Sequence, residues 1–246
     1  MSPHCIQRFE KKQGTSQVRC RKSVDIWAGF CYTLHMTITW YGQSCFRIET
    51  KEVSVLIDPF SKDIGLRPPK IKDDLVLITH EHSDHNNLDG LNEGAFVIRG
   101  PGEYERKGVQ VRGILSHHDK TKGTERGLNT IYLIKTEDMA ICHLGDIGQN
   151  ELTDSQIEEI SDVDVLMVPV GGVYTVDFKD ALHIISQIEP KVIVPMHYQV
   201  PGLSIRLDSA DRFIKEVGLT PENVDKIKLA KKTLPIEEVK LIVPQL

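Results

Sequence analysis

An α/β fold follows from three features of the 246-residue sequence. Four consecutive apolar residues, Leu75 to Ile78, read as a short strand buried on both faces. Upstream of them, residues 36–57 alternate apolar and polar side chains in the two-residue period of strands. Downstream of about residue 150, stretches with helical spacing alternate with further apolar runs, the order of a layered α/β domain.

Composition sets outer bounds. The chain is 40% hydrophobic and 26% charged, the balance of an ordinary globular protein. A net charge of −5 implies no general attraction to nucleic acid or to membranes. No run approaches the roughly 20 apolar residues of a membrane span. The cysteines (Cys5, Cys20, Cys31, Cys45, Cys142) are odd in number and lack close-paired spacing. They do not read as a disulfide framework or a zinc knuckle, and a reducing cytoplasm is expected.

Residues 1–35 differ from the rest. They carry six Lys/Arg against two acids, a net of +4, whereas 36–246 carries a net of −9. Basic residues precede Ile26–Phe30 as in a signal peptide, but Asp25 abuts that run and no small-residue cleavage site follows it. A disordered extension over 1–35 and a single domain over 36–246 are expected.

Taken in order, 36–41 and 44–50 form a β-hairpin across Gly42-Gln43, and 53–57 is a strand ending in Asp58-Pro59. The buried strand 75–78 then delivers His80, His82, Asp84 and His85 to its carboxyl end, where open α/β sheets place their ligands. In an extended segment His80 and His82 point to the same side and can grip one ion. A helix opening at Ser83 would swing Asp84 and His85 to a neighbouring position, for a second. A single buried histidine is usually a hydrogen-bonded core residue, but four ligand-type side chains crowded at one strand end are costly to desolvate unpaired. A metal site is therefore expected. Imidazole with carboxylate suits zinc, and also manganese or iron.

Asn86 to Gly90 reads as a short helix and turn, 95–99 as a strand, Gly100-Pro101-Gly102 as a turn, and 109–115 as a strand leading to Ser116-His117-His118-Asp119. Residues 120–127 are polar and contain glycine, the composition of a mobile loop. A second hairpin pairs 129–135 with 139–143 and ends in His143-Leu144-Gly145-Asp146. Residues 152–160 have helical spacing, with Thr153 or Asp154 as cap. Strand 163–168 leads to Pro169-Val170-Gly171-Gly172, whose glycines permit close backbone approach to a ligand. An amphipathic helix at 177–188 carries His183 on its surface or in the core. Strand 191–194 leads to Pro195-Met196-His197-Tyr198, and a helix at 209–217 precedes closing strands at 226–229 and 238–243.

The pattern His80-x-His82-x-Asp84-His85 after an apolar strand resembles the signature of the metallo-β-lactamase fold superfamily. Together with GPGEYE (100–105), HLGD (143–146), PVGG (169–172) and PMHY (195–198), it is most similar to the small Zn-dependent hydrolases that include the ascorbate-6-phosphate lactonase type. The resemblance implies a four-layer αββα sandwich with its site along one edge. It requires a third histidine for the first metal, to be chosen between His117 and His118. The subgroup's His-Asp before a glycine-rich stretch and Arg-Gly-x-Asn matches His118-Asp119 with Arg126-Gly127-Leu128-Asn129. The implied ligands are His80, His82 and His118 for one ion and Asp84, His85 and His197 for the other. Asp146 bridges them with one oxygen per ion. Asp58 is expected to orient a ligating imidazole, and His143 to support the site without binding metal.

The implied activity is metal-dependent hydrolysis of a small ester-like substrate, a lactone or a phosphate ester. Asp84 and Asp146 take catalytic roles, with two Zn2+ per chain and Mn2+ or Fe as substitutes. A nuclease of the same fold is the first alternative, opposed by the acidic core and the lack of an inserted nucleic-acid domain. A diiron redox centre departs from the pattern, since that branch has glutamate where this chain has His82. A non-catalytic metal-binding protein is the remaining alternative. A small-molecule partner is expected, with no membrane; substrate and oligomeric state are not legible. Arg126, Asn129, Lys179 and Tyr198 are candidates either to touch a substrate or to serve the structure.

Overall fold

The computed structural model describes residues 35–246. The extension read over 1–35 lies outside the described residues, apart from His35, which is exposed. The first sheet is built from β1 (Met36–Gly42), β2 (Cys45–Glu49), β3 (Ser54–Ile57), β4 (Leu75–Ile78) and β5 (Phe96–Arg99). β1 to β3 pair antiparallel, as the alternating sequence predicts, and β3 to β5 run parallel. The late strand β13 (Ile227–Leu229) closes this sheet against β1.

The second sheet begins as an antiparallel meander of β6 (Gly102–Arg106), β7 (Val109–His117), β8 (Leu128–Thr136) and β9 (Met139–His143). It continues in parallel through β10 (Val165–Pro169), β11 (Val192–Met196), β14 (Lys240–Pro244) and β12 (Pro221–Val224). The parallel strands are the near-continuous apolar runs LVLI, VLMVP and VIVPM, because strands covered on both faces have no solvent side to mark. Each fully buried aliphatic side chain in them contributes about 1.5–3 kcal/mol.

One continuous apolar core draws on both sheets, including Phe46, Ile57, Leu77, Ile131, Ile141 and Met167. The helices are α1 (Asp154–Glu159), α2 (Phe178–Ile188) and α3 (Asp211–Glu216). Thr153 caps α1 in a reciprocal capping box with Gln156, and Asp177 caps α2. α2 lies against β10 of the second sheet and against α3. This is the αββα architecture the resemblance implies.

Two local expectations are corrected. No helix opens at Ser83: residues 83–85 make a turn closed by the His85 amide on the His82 carbonyl at 3.0 Å, and 86–90 hold no helix either. Arg47 occupies a polar position of an alternating strand yet is buried, forming two hydrogen bonds to Asp73 at 2.8 and 2.9 Å.

Candidate metal centre

The site forms where the carboxyl ends of β4, β9 and β11 come together. The end of β4 is fastened to both sheets. Tyr132 on β8 donates to the Ile78 carbonyl at 2.8 Å, and the Thr130 amide donates to the Thr79 carbonyl at 2.9 Å. Thr79 in turn donates to Asp58 from its amide, at 2.8 Å, and from its hydroxyl, at 2.7 Å. Because the hydroxyl proton goes to Asp58, its lone pairs face His80 Nδ1 at 2.9 Å. That fixes a proton on His80 Nδ1 and leaves Nε2 with a free lone pair. Asp58 also meets His85 Nδ1 at 3.1 Å, which fixes the same tautomer there. Asp58, expected to orient an imidazole, thus holds His85 directly and His80 through Thr79. Both Nε2 atoms are buried with no hydrogen-bond partner.

These nitrogens converge on Asp146. Its Oδ2 lies 3.0 Å from His197 Nε2, 3.3 Å from His85 Nε2, 3.5 Å from His118 Nε2 and 4.0 Å from His80 Nε2. Its Oδ1 accepts from the Ser44 hydroxyl at 3.0 Å. The expectation of one carboxylate oxygen per ion is therefore revised: Oδ2 alone faces the histidines, and Oδ1 belongs to Ser44.

Asp84 Oδ2 stands 3.4 Å from His85 Nε2. Three donor groups have ligand atoms within 4.8 Å of one another: His80, His82 and His118; His80, His85 and Asp146; Asp84, His85 and His197. All seven residues singled out in the sequence are brought together. Between the two neighbouring histidines, His118 faces Asp146, while His117 ends β7 outside these groups.

Electrostatics favours a cation. Burial lowers the His80 pKa to about 2, and His85 adds to the effect despite Asp146, so His80 is neutral. Burial likewise lowers His118 against the pull of Asp146. Burial pulls His85 down too, but the charge of Asp146, with Asp58 and Asp84 close by, outweighs it and raises its pKa well above the ordinary value. Burial pushes Asp146 and Asp84 up. The neighbouring imidazoles outweigh that, His197 and His85 for Asp146 and His85 for Asp84, and hold both carboxyls well below the usual range. The carboxylates thus draw positive charge toward His85 Nε2, which a bound cation would supply in place of a proton. The orphaned nitrogens and the ionised acids fit a divalent ion.

His143 uses both ring nitrogens, Nε2 to the Ser44 carbonyl at 2.8 Å and Nδ1 from the Gly145 amide at 3.1 Å, so it has none to offer a metal. Asn129 is also structural. Its amide spans Ser116 Oγ, the Leu144 carbonyl and the Asp146 amide at 2.7–2.9 Å. Gly145, at φ +58°, is required because a Cβ would strike Asn129. Gly171 leaves room for the carbonyl of His197, so its role is to admit the backbone that carries a donor, not an external ligand.

Sequence reasoning missed Gln43, read as a hairpin-turn residue, and Ser44, read as the first residue of the second strand. Gln43 is buried at φ +51°, and its Nε2 donates to Asp84 Oδ2 at 3.0 Å and lies 3.4 Å from His197 Nε2. Its carbonyl accepts from the His197 amide at 3.1 Å. The residual signal was the pair of polar residues in a turn followed by the buried CF of β2.

Residues 37–197 match the family profile described as a beta-lactamase superfamily domain. The chain belongs to the metallo-β-lactamase superfamily. A metal-dependent hydrolase from Methanopyrus kandleri is 29% identical over 225 residues, covering 77% of this chain and 96% of the relative. A Pyrococcus abyssi protein is 34% identical over 191 residues, 68% of this chain and 85% of the relative. A crystal structure from Thermotoga maritima, described as a Zn-dependent hydrolase of the metallo-beta-lactamase superfamily, superposes with a TM-score of 0.70. It is 32% identical, covering 85% of this chain and 100% of that one. Among the described residues no helix is long and apolar enough to cross a membrane.

Proposed function

We propose that the chain is a hydrolase with a dinuclear metal centre that cleaves a small ester-like bond, a lactone or a phosphate ester. The observation that carries this reading is the convergence of four imidazole nitrogens, of His80, His85, His118 and His197, on one carboxylate oxygen, Asp146 Oδ2, with His82 and Asp84 in the adjoining donor groups. His80, His82 and His118 would hold one ion, Asp84, His85 and His197 the other, and Asp146 both. Two divalent ions, when bound there, lower the pKa of a shared water toward neutrality and polarise the scissile group. Zinc is the expected metal, with manganese or iron accepted by the same donors.

The chain's own residues supply the rest. Asp58, Thr79 and Ser44 fix the donors from behind, so little reorganisation is needed when substrate arrives. His82 is exposed and Asp84 half-buried, whereas His80, His85, His118, Asp146 and His197 are buried. Substrate therefore enters from the His82–Asp84 side, where Asp84 can orient a water. The entry cavity, of about 380 Å³, suits a small molecule. Asp58, Asp84 and Asp146 do not neutralise two dications, so the loaded site stays positive inside an acidic protein. The described thiols, Cys45 and Cys142, are free and buried, which supports a reducing cytoplasm.

The test couples metal analysis to a panel of lactones, phosphate esters and thioesters. Chelation should abolish turnover, and zinc or manganese should restore it. Two bound ions with no metal-dependent turnover across the panel would replace this reading with a metal-binding protein.

A further inference from the structure

Arg126 belongs to a motif that the metal centre does not absorb. It lines the entry cavity together with His82, Asp84, His118, Asp146, His197 and Tyr174. It also lines the adjoining cavity that reaches His80, His82 and Arg99. The two arginines there differ. Arg99 is paired with Glu81, whereas among the described residues no carboxylate pairs with Arg126. Its guanidinium instead lies 5.5 Å from the centre of the Tyr174 ring. An aromatic ring holds one face of a guanidinium and leaves the edge N–H donors free.

The loop that carries Arg126 is folded around a single buried carboxylate. Asp119 Oδ1 accepts from the Thr121 amide and hydroxyl and from the Gly123 amide, each at 2.8 Å. Asp119 Oδ2 accepts from the amides of Glu125 at 3.0 Å and Arg126 at 2.8 Å. The His118 amide closes the loop on the Gly127 carbonyl at 3.1 Å. A stretch whose composition reads as mobile is thereby tied to the residue beside a metal donor. Glu125 shares the cavity wall; its carboxylate lies 3.3 Å from the Thr121 hydroxyl, whose one proton goes to Asp119 at the shorter distance, and it forms no ion pair with Arg126.

From this arrangement we infer that Arg126, backed by Tyr174, is a specificity-determining residue that binds an oxyanion on the substrate, away from the bond that reacts. The substrate is an anionic small molecule carrying a phosphate or a carboxylate. A planar fork of donors matches either group bidentately. The single cavity holds Arg126 and five of the seven metal donors, so anion and reacting bond belong to one molecule. The inference rests on the proposed hydrolase only in placing the reacting bond at the metal centre.

The test is calorimetric titration of the metal-loaded protein with phenylphosphonate, phenylacetate and, as neutral match, benzyl alcohol. Wild type should bind at least one of the anions more tightly than the alcohol. Arg126→Gln should weaken that anion by about 10- to 100-fold, the loss of charged hydrogen bonds. Arg126→Lys should fall between, because it keeps the charge and loses the fork. The anion that loses more identifies the phosphate-like or the carboxylate source. Equal affinity in wild type and Arg126→Gln would overturn the inference, since an anion held by the ions alone does not sense residue 126. Absence of any anion preference in wild type would overturn it as well. Arg126 dependence with no ester turnover would leave the anion site standing and remove the hydrolase. Turnover without Arg126 dependence would do the reverse.

Discussion

Replacing Asp58 with asparagine changes no volume but reverses a donor. One amide oxygen can still accept from the Thr79 N–H, as Oδ1 does at 2.8 Å. The new NH2 then faces the Thr79 hydroxyl and His85 Nδ1, where Oδ2 accepts at 2.7 and 3.1 Å. To keep that contact His85 must present a lone pair at Nδ1 and carry its proton on Nε2. That nitrogen lies 3.3 Å from Asp146 and 3.4 Å from Asp84, in the middle of the donor set, and a protonated nitrogen does not ligate. Losing one charge-assisted hydrogen bond costs about 1.5–3 kcal/mol. The expected effect is a loss of about 10- to 100-fold in metal affinity, the range for partners behind metal-bound histidines. Competition with a chromophoric chelator measures it, and circular dichroism confirms that the variant is folded. Folded Asp58→Asn with unchanged metal affinity would refute the tautomer argument.

Three further outcomes are expected. His118→Ala should lose bound metal while His117→Ala keeps it, by elemental analysis. Gly171→Ala should destabilise the fold by about 1–3 kcal/mol, because its Cβ meets the His197 carbonyl and the backbone must move; thermal unfolding reads this. Asp164, buried and held by Lys191 at 2.7 Å and Lys231 at 2.8 Å, has a lowered pKa: burial raises it, but the two lysines outweigh burial. A depressed carboxyl stabilises fully above its unfolded pKa of about 3.9 and less as pH falls toward its folded value. The advantage of wild type over Asp164→Asn should therefore be constant near neutrality and shrink below about pH 4, as denaturant titrations across pH would show.

What was legible in the sequence follows the strength of local signals. Buried parallel strands announce themselves as apolar runs, and donors at their ends are legible as soon as those ends are located. β6 and β12 escaped because they are edge strands, half-exposed and polar: GEYER follows a Gly-Pro-Gly turn, and PENV opens on proline. The burial of Arg47 depends on Asp73, 26 residues away, and no periodicity encodes such a pair. The same holds for Gln43, whose contact with Asp84 spans 41 residues. The turn at 83–85 replaced an expected helix because Asp84 and His85 are held by tertiary partners, Gln43 and Asp58. The choice of His118 over His117 needed the family resemblance; strand spacing alone did not make it.

The central claim is a pair of ions sharing one carboxylate oxygen. Elemental analysis of protein purified without chelators, compared with Asp146→Ala, tests it most directly. The expected count is about two divalent ions per chain, as two-metal hydrolytic sites hold, falling sharply in the folded variant because Asp146 would serve both positions. A wild-type count that does not exceed one, or an unchanged count in Asp146→Ala, would contradict it.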